Sequence, residues 1–439
     1  MARKPTSARP GTRPAAPAAP AASNGIESML LAAQERGGES MQTGRYLVTY
    51  KEGAMQAGLK ELQSRSMRTA DARDFSTQAV DVADVGDADA LMFPEIGVAL
   101  ITGDAFQARG MSLEAEVASD SPTQVVEPEY FVFTHSAGDY LRGFKAAVEA
   151  ISRDLGTTAG ELAESDVSAQ VLGVTWGLNA CRVPPSLRSG AGIRVAVLDT
   201  GMDLGHPDFA GRAFATNTFV GQPVQDLNGH GTHCIGTSCG PFAPVGSTPR
   251  YGIAHRAQIF VGKVLTNSGA GTTASVLAGM NWAIANRCTV ISMSLGAQAP
   301  VQAAYNAAGQ AALNAGCLIV AAAGNAGSAV FTGAPANSPT IFAVASLDPN
   351  LAPSAFSCSG KIEIAAPGRD VFSSVPMPTR YGMKSGTSMA TPHVAGCAAL
   401  WAETSPALRG MSLWNRLLSS ARPLPHPTAR VWRGLVQAP

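Results

Sequence analysis

Ile193-Arg194-Val195-Ala196-Val197-Leu198-Asp199-Thr200-Gly201 is the stretch whose reading decides how this chain folds. Its run from Val195 to Leu198 is apolar, partly β-branched and of strand length, and no polar residue interrupts it, as expected of a strand buried on both faces. Strands of that kind belong to parallel sheets covered by helices, and such sheets bind ligands at the carboxyl ends of their strands. Asp199 stands at that end, followed by a Thr200-Gly201 turn. Strands are read at 193–198, 258–264, 289–294, 317–322 and 340–345, alternating with helices near 272–286, 301–315 and 388–402. The alternation predicts an α/β domain, a mainly parallel sheet with helices on both faces and right-handed crossovers.

Two more junctions carry reactive side chains. Asn228-Gly229-His230-Gly231-Thr232-His233 sets a histidine between two glycines that leave its ring uncrowded, and Gly386-Thr387-Ser388-Met389-Ala390-Thr391-Pro392-His393-Val394-Ala395-Gly396 puts a serine where a loop turns into a helix. A hydroxyl near the positive end of a helix dipole suits a nucleophile, although Ser388 or Thr387 could also simply cap that helix. Aspartate, histidine and serine together form a mechanism: Asp199 orients His230, His230 takes the proton of Ser388, and Ser388 attacks a carbonyl. A fourth segment, Cys317 to Ala323, reads as a buried strand running into Gly324-Asn325-Ala326-Gly327. Asn325 there can aim its amide at a developing oxyanion, or the Gly-Asn pair can be an ordinary turn. His230 and His233 could pair on a metal, but the glycine-rich context and the other two residues argue against it.

Asp199-Thr200-Gly201, His230-Gly231-Thr232-His233 and Gly386-Thr387-Ser388-Met389-Ala390 resemble the three signature segments of the subtilisin-like serine proteases. Cys234, Gly262-Lys263-Val264-Leu265 and Asn267-Ser268-Gly269 are similar to the proteinase K branch of that family, and the likeness covers about residues 173 to 439. It implies a serine endopeptidase acting through an acyl-enzyme on protein or peptide substrates, with no cofactor in the chemistry. It gives Asn325 and the Ser388 N–H the oxyanion role. It makes Ser294, Leu295 and Gly296 one wall of the specificity pocket, with Ala323 and Gly324 on another and Gly333 to Ala336 closing the site. Small uncharged walls imply broad specificity with an apolar or aromatic P1 residue. The resemblance also matches Pro339, Ile341 and Glu363 to a structural calcium site, while Asp208 matches a calcium position whose completing loop is replaced by Cys239-Gly240-Pro241-Phe242. The alternatives are a silent binding pseudoenzyme and an acyl-transferring esterase or transpeptidase on the same fold.

The 439 residues exceed what one core usually holds. Residues 44–135 read as a small α+β, ferredoxin-like unit in the order β-α-β-β-α-β: strands Tyr46 to Tyr50, near Thr77 to Val82, Gly97 to Ile101 and Thr123 to Phe133, with helices Ala54 to Arg65 and Ser112 to Ala118. By resemblance this is the propeptide, an intramolecular inhibitor and folding chaperone that makes the protein a zymogen, though a ligand-binding domain of similar fold is the alternative. Residues 136–172 are a linker with a helix at Asp139 to Leu155 and a processing point between Tyr130 and Leu172; residues 173–439 are the catalytic domain. Residues 1–43 form an Ala/Pro/Arg-rich tail expected to be disordered.

Lys plus Arg and Asp plus Glu are 32 each, a balance that calls for neither nucleic acid nor an anionic membrane. No run approaches the roughly 20 apolar residues of a membrane span, and a monomer is expected. The amino terminus lacks the apolar core of a secretory signal, which suggests a cytoplasmic start or export by another route. Seven cysteines, all between Cys181 and Cys397, leave at least one thiol free in a monomer.

Overall fold

The computed structural model describes residues 25–35, 41–75, 80–83, 85–111, 120–134 and 173–439. Its larger sheet is built from β6 (Arg194–Asp199), β7 (Phe214–Thr218), β8 (Gln258–Lys263), β10 (Val290–Met293), β11 (Leu318–Ala322), β12 (Phe342–Leu347) and β13 (Ile364–Pro367), in the order β13-β12-β11-β10-β6-β8-β7. Every pairing in it is parallel. The strand residues divide between two buried clusters by the two-residue period of the pleat. Val195, Val197, Leu318 and Val320 point to one face, and Ala196, Leu198, Ile319 and Ala321 to the other.

Helices cover both faces, as the sequence predicts. On the first lie α5 (His230–Cys239) and α8 (Thr387–Thr404), which pack on each other. On the second lie α6 (Thr273–Ala285) and α7 (Ala303–Asn314), contributing Leu277, Met280, Ala304 and Ala308 to the core. α9 (Met411–Ser420) and α10 (Thr428–Val431) follow, after a short α4 (Trp176–Ala180) at the start of this part of the chain. The hairpin β14 (Val371–Ser374) and β15 (Tyr381–Lys384) pairs antiparallel.

The smaller sheet has the order β2-β3-β4-β1-β5-β9, from β1 (Gln42–Tyr50), β2 (Thr69–Asp71), β3 (Ala90–Phe93), β4 (Val98–Ile101), β5 (Thr123–Phe133) and β9 (Ala270–Thr272). Of these, β9 comes from the larger unit, so β5 stitches the two units together by antiparallel pairing of Phe131 with Thr272 and Phe133 with Ala270. One face of this sheet buries Val48, Met92 and Ala99 against α2 (Met55–Ser64) and α3 (Gly103–Ala108). The other buries Leu47, Leu91 and Leu100 in the cluster that contains α6 and α7. Those two helices are thus sandwiched between sheets, and both of their N-termini meet a carboxylate from β5. Glu127 accepts from Ala303 N at 3.0 Å and Ala304 N at 2.8 Å, while Glu129 accepts from Ala274 N at 3.0 Å. Each supplies acceptors to helix N–H groups that have no partner within the helix, with the helix dipole adding attraction. Glu129, fully buried, is neutralised by Arg45 Nε at 2.6 Å and Nη2 at 2.9 Å and also accepts from Thr43 Oγ1 at 2.6 Å.

Several expectations need correction. The tail reading stops too late: α1 (Ile26–Glu35) is a helix whose Ile26, Leu30 and Ala33 are buried against Phe131, Phe133 and Ala270. Those residues recur at helical spacing, and that local pattern outweighs the composition of the 24 residues before it. The second strand of the small sheet is β2 at Thr69–Asp71, and residues 80–83 hold no strand. The strand β3 and the helix α3 were not read from the sequence. The helices expected at Ser112 to Ala118 and Asp139 to Leu155 lie outside the described residues, as do residues 1–24.

Candidate active site

Asp199 ends β6 with its side chain buried beneath the sheet edge, where its Oδ1 accepts from Thr200 N and from His230 Nδ1, each at 2.7 Å. His230 is the first residue of α5. It is held there by Asp226, which is fully buried: its Oδ1 accepts from Thr200 Oγ1 at 3.0 Å and from Gly229 N at 2.9 Å, and its Oδ2 accepts from Thr232 N at 2.9 Å and Thr232 Oγ1 at 2.7 Å. Asp226 therefore caps α5 and ties it to the turn after Asp199. Gly231 is required by close approach, since a Cβ there would run into Gly201 O and sit 3.1 Å from Thr200 Oγ1. Lys263 is buried beside them and donates to Thr200 O and, at 2.8 Å, to Asn267 Oδ1; burial lowers its pKa to about 8.

Ser388, in the first turn of α8, is 4 % exposed and donates from Oγ to Ser294 O at 3.2 Å, while Ser294 Oγ donates to Ser388 O at 2.7 Å. Cys234 spans the histidine and the serine, with Sγ 3.9 Å from His230 Nδ1 and 3.7 Å from Ser388 O. An imidazole whose Nδ1–H is given to a carboxylate presents Nε2 as a base. Asn325 is oriented just as firmly. Its Oδ1 accepts from Thr387 N at 2.8 Å and Thr387 Oγ1 at 2.9 Å, which turns the Nδ2 donor away from Thr387. Ser388, Asn325, Leu295, Gly296, Ala323 and Gly324 line one cavity, and Phe133 and Thr134 of the smaller unit line it too. Phe133 exchanges backbone hydrogen bonds of 3.0 Å in both directions with Gly296, and Thr134 N donates to Gly269 O at 3.1 Å.

Of the nine residues expected at the catalytic and substrate positions, Leu295, Gly296, Ala323, Gly324, Asn325 and Ser388 line this cavity, Ser294 bonds Ser388, and Asp199 and His230 bond each other and reach Ser388 through Cys234. The metal reading fares differently. Asp199, His230 and Cys234 offer potential ligand atoms within 4.8 Å of one another, but burial keeps the Cys234 thiol protonated, and Asp199 and His230 already bond each other. His233 is lowered to about 3 by burial and its Nε2 faces Val371 O at 2.9 Å, so it is a neutral donor in the core. Pro339, Ile341 and Glu363 do not fit a calcium ion. The Lys361 ammonium donates to Ile341 O and, at 2.9 Å, to Glu363 Oε2, which also accepts from Ala343 N at 2.6 Å. A cation is thus already present where the expected ion would sit, covered by the Trp414 ring at 5.7 Å. Asp208 is likewise satisfied by Tyr251 Oη at 2.6 Å, Tyr381 Oη at 2.9 Å and Val245 N at 3.1 Å. Sequence reasoning missed Asp226, Lys263 and Lys361. Asp226 stands four residues before His230, and only its partners, Thr200, Gly229 and Thr232, reveal its role.

The pattern described as the subtilase family matches residues 190–431, more than half of the chain. The alkaline protease of Alkalihalobacillus alcalophilus is 38 % identical over 267 residues, covering 60 % of this chain and 68 % of that protein. Subtilisin Savinase of Lederbergia lenta is 39 % identical over 257 residues, 57 % of this chain and 92 % of that protein. Thermitase of Thermoactinomyces vulgaris is 42 % identical over 222 residues, 49 % of this chain and 77 % of that protein.

Proposed function

The chain belongs to the subtilase family of serine endopeptidases, and from that premise we propose that Ser388 is the nucleophile, His230 its general base and Asp199 the group that orients and charge-balances the imidazole. His230 Nε2 takes the hydroxyl proton as Ser388 Oγ attacks the carbonyl carbon. The oxyanion receives hydrogen bonds from Asn325 Nδ2 and the Ser388 N–H. His230 then returns the proton to the leaving amine, and water hydrolyses the acyl-enzyme. No cofactor takes part.

The same reading makes the protein a zymogen whose N-terminal unit is its first substrate and then its inhibitor. The observation that carries it is the extended chain Phe131 to Thr134, paired with β9 and with Gly296, whose Phe133 and Thr134 line the same cavity as Ser388. A peptide substrate added as a strand between two edges would make the same backbone bonds. Phe133 faces Gly296 in antiparallel register, and Gly296 lies two residues from Ser294, whose carbonyl accepts from Ser388 Oγ. That count supports processing within two or three residues after Thr134. The small, uncharged walls at Ala322, Ala323, Gly324 and Gly333 support an apolar or aromatic P1 residue.

Mass spectrometry of the purified protein tests this directly. The mature amino terminus is expected just beyond Thr134, and Ser388→Ala should stay uncut and should not react with a fluorophosphonate. A wild-type chain that neither processes itself nor takes the label would refute the assignment.

A further inference from the structure

Gln298 stands between two cavities and is, among the described residues, the one that lines both. The first, about 50 Å³, is the pocket beside Ser388. The second, about 530 Å³ and open to solvent, is lined by Gln298, Val301, Phe331, Thr332, Asn337 and Lys361 among others. Its rim is apolar, with Phe331 75 % and Val301 54 % exposed.

The position of the Gln298 amide follows from the glycines of the first pocket. A methyl group placed on Gly324 would meet Gln298 Nε2 at 3.4 Å and Cys358 Sγ at 3.1 Å, and one placed on Gly333 would also meet Gln298 Nε2 at 3.4 Å. Gly324 belongs to the β11 side of the pocket, and Gly333 to the segment whose next residue, Ala334, bridges to Ala297. The amide therefore lies where the two walls converge. Although the residue as a whole is exposed, its end is tethered there by Nε2 donating to Cys358 Sγ at 3.7 Å. Sulfur is a weak acceptor, so this tether holds a rotamer without locking it.

We propose that Gln298 is the specificity-determining residue that sets the depth of the P1 pocket, a side-chain partition closing it off from the outer cavity. The proposal rests on the proteolytic reading above and deepens it. With the partition in place, the pocket favours small P1 side chains. A phenylalanine or tyrosine ring must displace the amide, breaking its N–H to Cys358 contact, and in return reaches the apolar space toward Phe331. Removing the partition joins the two cavities and favours large P1 groups selectively.

The test uses the processed enzyme with peptide p-nitroanilides differing only at P1: Ala, Leu, Phe and Tyr. In Gln298→Ala the ratio of kcat/KM for Phe over Ala should rise at least about fivefold, within the range that pocket volume changes give, with the Ala substrate changed less than twofold. Cys358→Ala keeps Gln298 but removes its tether, and should move the same ratio in the same direction by a smaller factor. Equal fluorophosphonate labelling rates in all three proteins report an intact nucleophile. With labelling equal, an unchanged Phe to Ala ratio in Gln298→Ala overturns the role of Gln298 and leaves the protease reading standing. A wild type that is never labelled overturns the protease reading itself.

Discussion

Glu127→Ala should loosen the grip of the N-terminal unit on the rest of the protein without harming either fold, because its carboxylate acts only across the interface. It accepts from Ala303 N at 3.0 Å and Ala304 N at 2.8 Å at the start of α7, whereas the neighbouring Glu129 is also paired with Arg45 inside its own unit. Two hydrogen bonds to an ionised acceptor contribute about 1.5–3 kcal/mol each when formed in full. Glu127 is only partly buried and the freed N–H groups can take up water, so a total of about 2–3 kcal/mol is expected, or roughly 30- to 150-fold in dissociation constant. The assay is the recovery of peptidase activity on dilution of the processed, non-covalent complex. The carboxyl pKa is raised by burial, with the two N–H bonds opposing. A carboxyl whose pKa is higher docked than free binds more tightly when protonated, so docking strengthens at acid pH, and that increment, as distinct from the two hydrogen bonds, is lost as pH rises through the raised value. Glu127→Gln, which cannot ionise, should flatten that part of the pH profile. A change below threefold in Glu127→Ala, with both units folded, would refute the clamp.

Two further outcomes follow from the same geometry. Asn325→Ala removes the donor proposed for the oxyanion and should lower kcat by about 10²- to 10³-fold with little change in KM; a loss confined to KM would count against that role. Lys361→Met leaves Glu363 and the Ile341 carbonyl without their cation. Breaking such a pair costs about 3–5 kcal/mol when fully buried. Here, partly exposed, roughly 1–2 kcal/mol is expected, lowering Tm by about 2–8 °C. Millimolar calcium should restore part of that loss in the variant, and a variant whose Tm calcium does not move would show that Lys361 does not stand in for a metal.

Much of the molecule was legible in one dimension wherever a local signal coincided with burial. The expected strands 193–198 and 317–322 lie within a residue of β6 and β11, because a helix-covered parallel strand is apolar on both faces and cannot hide. α6 and α7 were equally plain from their apolar content and their limits. Elements with weak local signals escaped: β7, Phe-Ala-Thr-Asn-Thr, is a half-exposed edge strand with no apolar run, and β13, Ile-Ala-Ala-Pro, ends in a proline.

The sequence by itself determined which residues could react, since the aspartate, histidine, serine and asparagine each sit at a junction whose glycines or strand end advertise an exposed backbone turn. Only the tertiary structure decided what holds and limits them. Asp226 as the cap behind His230, Lys361 in place of an ion, Glu127 and Glu129 on two helix ends, and Gln298 between two cavities are all relations between residues distant in the chain. Their physical content is a distance and a partner, and neither exists until the sheet has brought the loops together.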